Sequence, residues 1–239
     1  MVRRVKPLIP ILLLCLTGCV GPKQQTSLGY VPPAGNQKII LMRPDIAVDA
    51  LTVGGLLERR EDWTVTARDN VLNSLQAQQA KRGGAMQVAI TRADAGSDEA
   101  TVIDLNKLHA AVGQSVILHK FSVGGALPTK KDVFDWTLGD LAVRYGAQSG
   151  YDYALFLYAR DSFSTGGRVA LQTIGALGCI VGVCVIPTGG TQQAFASLVE
   201  LKSGKLVWFN HVISTAGDIR TPQGADALVA KLLEGMNRN

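Results

Sequence analysis

Tyr151-Asp152-Tyr153-Ala154-Leu155-Phe156-Leu157-Tyr158 is the stretch whose reading decides the fold. In an extended chain Tyr153, Leu155 and Leu157 fall on one side, and Ala154, Phe156 and Tyr158 on the other. A strand that is apolar on both sides must be covered on both, which places it centrally in a sheet. Downstream, Gln193 to Leu201 and Leu206 to Ser214 are two more strand patterns, joined by Lys202-Ser203-Gly204-Lys205. That loop is short and polar, and its glycine takes positive φ freely, so the pair reads as a hairpin. Trp208 recurs with Leu201 and Leu206 at strand spacing beside the turn and reads as a core residue.

Working outward, Lys38 to Met42 is a short apolar strand stopped by Arg43-Pro44, and Ala47 to Val53 is a second extended segment ended by Gly54-Gly55. Asp62 is placed to cap a helix running to about Ala80, with Trp63, Ala67, Val71 and Leu75 on one face and Gly83-Gly84 at its end. Met86 to Ile90 reads as another strand. Asp98 to Phe121 fits a helix whose face is Val102, Leu105, His109, Val112 and Val116, interrupted by Gly113. A Gly/Pro/Lys loop follows, then a shorter helix from Asp135 to Tyr145. At the far end, Thr221-Pro222 starts a helix with Ala225, Leu228, Val229, Leu232, Leu233 and Met236 as its apolar stripe. This order predicts an α/β (α+β) fold: a mixed central sheet with an antiparallel C-terminal meander and helices packed against it. Residues 38–239 suffice for one domain.

The N-terminus has a different character. Arg3, Arg4 and Lys6 precede the apolar run Pro7 to Leu16, which is the layout of an export signal. The run is about 10 residues against roughly 20 for a membrane-spanning helix. Leu16-Thr17-Gly18-Cys19 then resembles the bacterial lipoprotein box. The resemblance implies that residues 1–18 are cleaved off between Gly18 and Cys19 and that Cys19 carries the lipid. In lipoproteins of this type an aspartate after the cysteine retains the protein in the inner membrane. Val20 stands there instead, which implies the outer membrane, periplasmic face. Residues 19–37 are rich in Gly, Pro, Gln and Ser and read as a flexible tether. Losing the signal lowers the formal net charge from +5 to +2, and no basic cluster with interleaved aromatics remains, so nucleic-acid binding has no support.

Of four cysteines, Cys15 leaves with the signal and Cys19 is acylated, leaving Cys179 and Cys184. Five residues apart, these lie about 16 Å apart in a strand and about 7.5 Å in a helix, beyond the roughly 4.4 to 6.8 Å of a disulfide. Pairing needs a turn, for which Gly182 is available; two small buried hydrophobes is the plainer reading.

No catalytic motif or cofactor signature is evident: there is no G-x-S-x-G, H-E-x-x-H, C-x-x-C pair or phosphate-binding glycine loop. On one helix, His109 and His119 stand about 15 Å apart along its axis, too far to share a metal ion. His211 reads as a strand-face residue. Asp132, Asp135 and Asp140 around Phe134 and Trp136 have the composition of a glycan cleft, yet Asp135 as a helix cap explains the same spacing. Lys130-Lys131 reads as a solvated loop face.

Lys38 to Met42, Gly54-Gly55-Leu56-Leu57 with Trp63, Phe134-Asp135-Trp136-Thr137-Leu138-Gly139, Tyr153 to Arg160 and Ser197 to Phe209 together resemble a group of uncharacterised proteobacterial outer-membrane lipoproteins. More distantly, the Leu198 to Trp208 hairpin is similar to lipoproteins of the curli-secretion and penicillin-binding-protein-activator type and to the N-terminal domain of TolB. This resemblance implies an α/β domain used for protein contact rather than catalysis: a lipid-anchored binding or assembly protein of the cell envelope, whose partners are the membrane, envelope proteins or a second copy. The alternative is a periplasmic hydrolase acting on cell-wall glycan or peptide. One segment stands out as a possible interaction surface. Val169 to Ile186 has only Gln172 and Thr173 clearly polar, and its apolar members include Ile174, Leu177, Ile180, Val181 and Val183. It reads first as a segment buried in its own domain, next as an exposed apolar hairpin or helix, and last as a membrane span.

Overall fold

A computed structural model of the chain describes residues 23–26, 30–33, 37–81, 90–92, 99–130, 133–180, 189–213 and 217–236. Its strands are β1 (Lys23–Thr26), β2 (Ile39–Leu41), β3 (Asp45–Leu51), β4 (Leu57–Arg59), β5 (Ile90–Arg92), β6 (Tyr153–Ser164), β7 (Gln192–Glu200) and β8 (Lys205–Ile213). Its helices are α1 (Glu61–Lys81), α2 (Glu99–Val116), α3 (Gly139–Ser149), α4 (Gly166–Ile180) and α5 (Pro222–Leu232).

β6 is the centre, as its alternation requires. One edge pairs along its length with β7, antiparallel; β8 pairs with β7 and β1 with β8, both antiparallel. The other edge is shared by two parallel strands, β2 opposite Tyr153 to Leu155 and β3 opposite Tyr158 to Ser164. Beyond them lie β5, parallel to β2, and β4, antiparallel to β3. Between β2 and β3, Met42-Arg43-Pro44 stands against only Phe156-Leu157, a bulge placed where Pro44 has no N–H to give the ladder. The extra residue exchanges odd for even positions. Ile39 and Leu41 before it, and Ile46 and Val48 after it, therefore all enter the same core.

Helices cover both faces. Tyr153, Leu155 and Leu157 pack with Ala67, Val71 and Leu75 of α1 and Leu228, Val229 and Leu232 of α5. Ala154, Phe156 and Tyr158 pack with Val102 and Leu105 of α2 and Ala142 and Tyr145 of α3. Thr221 caps α5 as predicted, its Oγ1 accepting from Gly224 N at 3.2 Å with Pro222 in the first turn. Asn210 closes the other end, its Nδ2 donating to the carbonyls of Lys231 and Leu232 at 2.8 and 2.9 Å.

Several local expectations are corrected. Lys23–Thr26, expected within a flexible tether, adds a strand to the sheet edge, and Tyr30 donates its hydroxyl to Met236 O at 2.7 Å. Asp62 does not cap α1; it receives the Arg60 guanidinium at 2.8 and 3.0 Å. Asp135 does not cap a helix either, because Trp136 O accepts from Leu206 N and Leu138 N donates to Gly204 O. That pins residues 136–138 to the β7–β8 turn and delays α3 to Gly139. Gly204 has the positive φ the turn requires, +69°. In α2, Val112 packs partly against the core and Gly113 is buried beside it: a Cβ at Gly113 would overlap the Phe195 ring, so the glycine marks close packing, not a break. Residues 86–89 of the expected strand, and Gly83-Gly84, lie outside the described residues; Ile90–Arg92 is a strand.

Candidate functional site

β6 ends at Ser164 and the chain passes directly into α4, beside the β3–β4 hairpin. That hairpin turns at Gly54-Gly55, with φ +85° at Gly55, and Thr52 closes it by N–H donation to Leu56 O at 2.9 Å and by accepting Leu56 N on Oγ1 at 3.1 Å. Arg168 fastens α4 to it. The buried guanidinium donates through Nη1 to Thr52 O and Val53 O at 3.2 and 3.4 Å, giving a charged group the carbonyl partners that burial demands. Past this clamp the large apolar side chains of α4 are exposed. Ile174, Leu177 and Ile180 are 65%, 60% and 80% exposed, and Val53, Leu56 and Leu57 of the hairpin are exposed as well.

The reading of Val169–Ile186 as a segment buried in its own domain is thus corrected for α4, whose one buried side chain is Arg168. The reason is topological: helices already fill both faces of the sheet, and α4 leaves from its end. No helix among the described residues is long and apolar enough to cross a membrane. Cys179, expected as a small hydrophobe, is disulfide-bonded, and every other cysteine of the chain lies outside the described residues. So do Val181 and Val183 of the predicted segment, and Gly18 and Cys19.

Near the root of α4 lies a group the sequence did not reveal. A cleft of about 270 Å³ is lined by Asp161, Ser162, Phe163, Gln192, Gly217 and Asp218. Asp161, almost fully buried, accepts Gln192 Nε2 at 2.6 Å. Burial pushes its carboxyl up to about 6, while the same Gln192 bond opposes the shift and Asp218 adds to it. Asp218 moves the other way, held below the usual carboxylate range by Arg220, whose Nε and Nη2 reach it at 2.9 and 2.7 Å. The Arg220 guanidinium also lies 3.7 Å from the Phe163 ring centroid and 4.4 Å from that of Trp63, which has Arg60 at 4.5 Å. Two carboxylates driven apart in pKa are the raw material of acid–base chemistry. The one sequence signal for this group was Asp161, an acid that follows the apolar first part of β6.

The residues singled out from sequence are dispersed. His109 Nε2 meets Ser197 Oγ at 2.9 Å, with both residues buried between α2 and the sheet, and its ring stacks on Phe156 at 4.8 Å. Burial pushes His109 down to about 3 and keeps it neutral. His119 donates Nδ1–H to Gly125 O at 2.7 Å, and His211 packs 4.3 Å from Phe121. Asp135 pairs with Lys130 at 2.6 Å, which lowers its pKa, and Asp140 is exposed in the first turn of α3; Asp132 lies outside the described residues. A second cleft, about 470 Å³, opens at the opposite end of the sheet between Tyr151, Asp152, Glu200, Lys202 and the Val143 and Ala147 side of α3.

The chain is thus a mixed α/β sheet protein with an apolar helix left outside its core. No protein-family model matches it, and no curated protein matches it in sequence. Among solved structures it is similar to a PelC dodecamer from Paraburkholderia phytofirmans, at 14% identity over 89% of this chain and 95% of that one, TM-score 0.37. It is similar also to the LpoB C-terminal domain from Salmonella enterica, at 13% identity over 78% and 86%, TM-score 0.27. The lipoprotein GNA1162 from Neisseria meningitidis gives 13% over 74% and 78%, TM-score 0.28. These likenesses are loose, and none of those proteins' functions is transferred through them.

Proposed function

We propose that this chain is an outer-membrane-anchored periplasmic lipoprotein that acts as a non-enzymatic binding or assembly protein of the cell envelope. Residues 1–18 direct export, Cys19 carries the lipid, and residues 38–239 form one periplasmic domain. The observation that carries this reading is α4: an apolar helix clamped to the body by Arg168 and left uncovered, a surface built to be met rather than a pocket built to react. Cys19→Ala should move the protein from the membrane to the soluble fraction or stall its processing. An unchanged outer-membrane fraction would place the anchor elsewhere. For the binding role, photoreactive residues at Leu177 and Tyr151 in intact cells test the arm and the far cleft. A product of fixed mass at either site supports the reading, and labelling of neither site rejects it.

The hydrolase reading keeps one foothold, the opposed pKa shifts of Asp161 and Asp218 in one cleft. Digestion of purified cell-wall sacculi decides it. Release of fragments by the wild type but not by Asp161→Asn would establish an enzyme, and no release removes that reading.

A further inference from the structure

Three features meet at one end of the sheet. β3 ends there at Leu51, β6 at Ser164 and β8 at Ile213, while β1 begins there, with Lys23 opposite His211. The chain therefore enters the sheet from the end at which α4 leaves it. Apolar exposure gathers at the same end. Of the fifteen exposed large apolar side chains among the described residues, nine belong to the β3–β4 hairpin, to α4 or to Ile213. The α4 sequence contains a single ionisable side chain apart from Cys179, and that is Arg168, turned inward to the hairpin carbonyls.

The anchor then fixes what this end can face. Cys19 precedes Lys23 by four residues, at most roughly 14 Å of extended chain. With strands about 4.8 Å apart, the root of α4 lies three strands from β1, roughly 14 Å across, and the hairpin one or two strands further. A leash that short holds the whole end within reach of the bilayer carrying the lipid, and leaves little depth for a folded protein between them.

We propose that this end of the sheet is a membrane-docking face, on which α4 and the hairpin tip bury their apolar side chains in the interfacial layer of the bilayer that holds Cys19. The inference rests on the lipoprotein reading and decides the occupant of the arm: a lipid surface. The lipid holds the chain at the surface without fixing its orientation, and a second apolar contact sets which end of the domain meets the bilayer. Because the exposed part of α4 carries no basic residue, the contact needs no anionic lipid and persists in high salt. The far cleft, with Tyr151, Asp152 and Glu200, then points into the periplasm, where a partner protein is met.

The test uses the full acylated protein in phosphatidylcholine vesicles whose acyl chains are brominated, which quenches indole emission on contact. Leu177→Trp and, separately, Ile174→Trp add an indole to α4; Val133→Trp adds one at the far end, three residues before Trp136, whose carbonyl accepts from Leu206 N. Emission above that of the parent's three tryptophans should be lost for both α4 variants, in low and high salt, and kept for Val133→Trp. Equal emission from all three overturns the docking face, as does crosslinking of α4 between copies without quenching, which would make it a subunit contact. Palmitate labelling of Cys19 separates the two failures. An acylated protein with unquenched α4 refutes docking alone, and an unlabelled Cys19 with quenched α4 removes the anchor while docking stands.

Discussion

β6 and α4 are neighbours in the chain and alike in composition, yet opposite in fate. The first seven residues of β6, Tyr153 to Ala159, are apolar, and all seven are buried. α4 is as apolar, and only Arg168 of its fifteen residues is buried. The difference does not lie in hydrophobicity. β6 has strand partners on both edges and helices over both faces; α4 leaves the sheet end after those faces are filled. An apolar run is a demand for cover, and the chain's own topology decides whether the cover comes from within.

That contrast is open to attack at its packed side first. Trp208 is fully buried, in the core beneath α5, so Trp208→Ala should cost about 3 to 5 kcal/mol by chemical denaturation. An unchanged midpoint would mean that the sheet is not the molecule's stable centre.

Two buried ionisable groups sharpen the comparison within the body, with opposite signs. His109, held neutral with its pKa depressed to about 3, makes the fold lose stability as pH falls from 6.5, by roughly 3 kcal/mol at pH 4. Asp161, raised to about 6, binds its proton more readily in the folded state, so the fold gains stability as pH falls from 6 to 4, by roughly 2 kcal/mol. The wild type should show little net contribution from this pair. Relative to it, Asp161→Asn should lose stability on acidification and His109→Leu should gain it. Parallel pH profiles for all three proteins would refute both assignments.

The smallest expected effect is on the bare side. Ile174→Asp with Leu177→Asp should shift the denaturation midpoint by no more than about 0.5 kcal/mol, as exposed positions do. A loss comparable to that of Trp208→Ala would show that α4 is covered by the body after all.

How much of this could be read in the sequence depended on whether side chains or topology carried the message. The two faces of β6, the inner face of α1, the Thr221 cap and the Gly204 turn were legible, because periodicity and turn chemistry write them locally. Leu206 and Trp208 were read as one face; they enter opposite cores, because the β7–β8 register shifts between Leu198 and Val199. The bulge at Met42-Arg43-Pro44 was equally hidden, since it is defined by a partner strand far along the chain. β1 escaped because a four-residue edge strand of polar residues is held by main-chain hydrogen bonds that need no apolar pattern. Ile174, Leu177 and Ile180 were picked out, but their exposure was not legible. The Asp161 and Asp218 pair was missed because only folding brings the end of β6 to the loop before α5.

The placement of β6 also sets the order in which this molecule can come into being. Its parallel partners were synthesised long before it, as Lys38 and Asp152, hydrogen-bonded across 114 residues, show, and its antiparallel partners follow it. A sheet whose hub arrives late and pairs at long range folds slowly and cannot assemble from its first half. The emerging chain therefore stays open until the β7–β8 hairpin is made, which is compatible with the export proposed above. The same delay leaves the apolar residues of β6 uncovered until its partners arrive, so the step most sensitive to a chaperone precedes closure of the last hairpin.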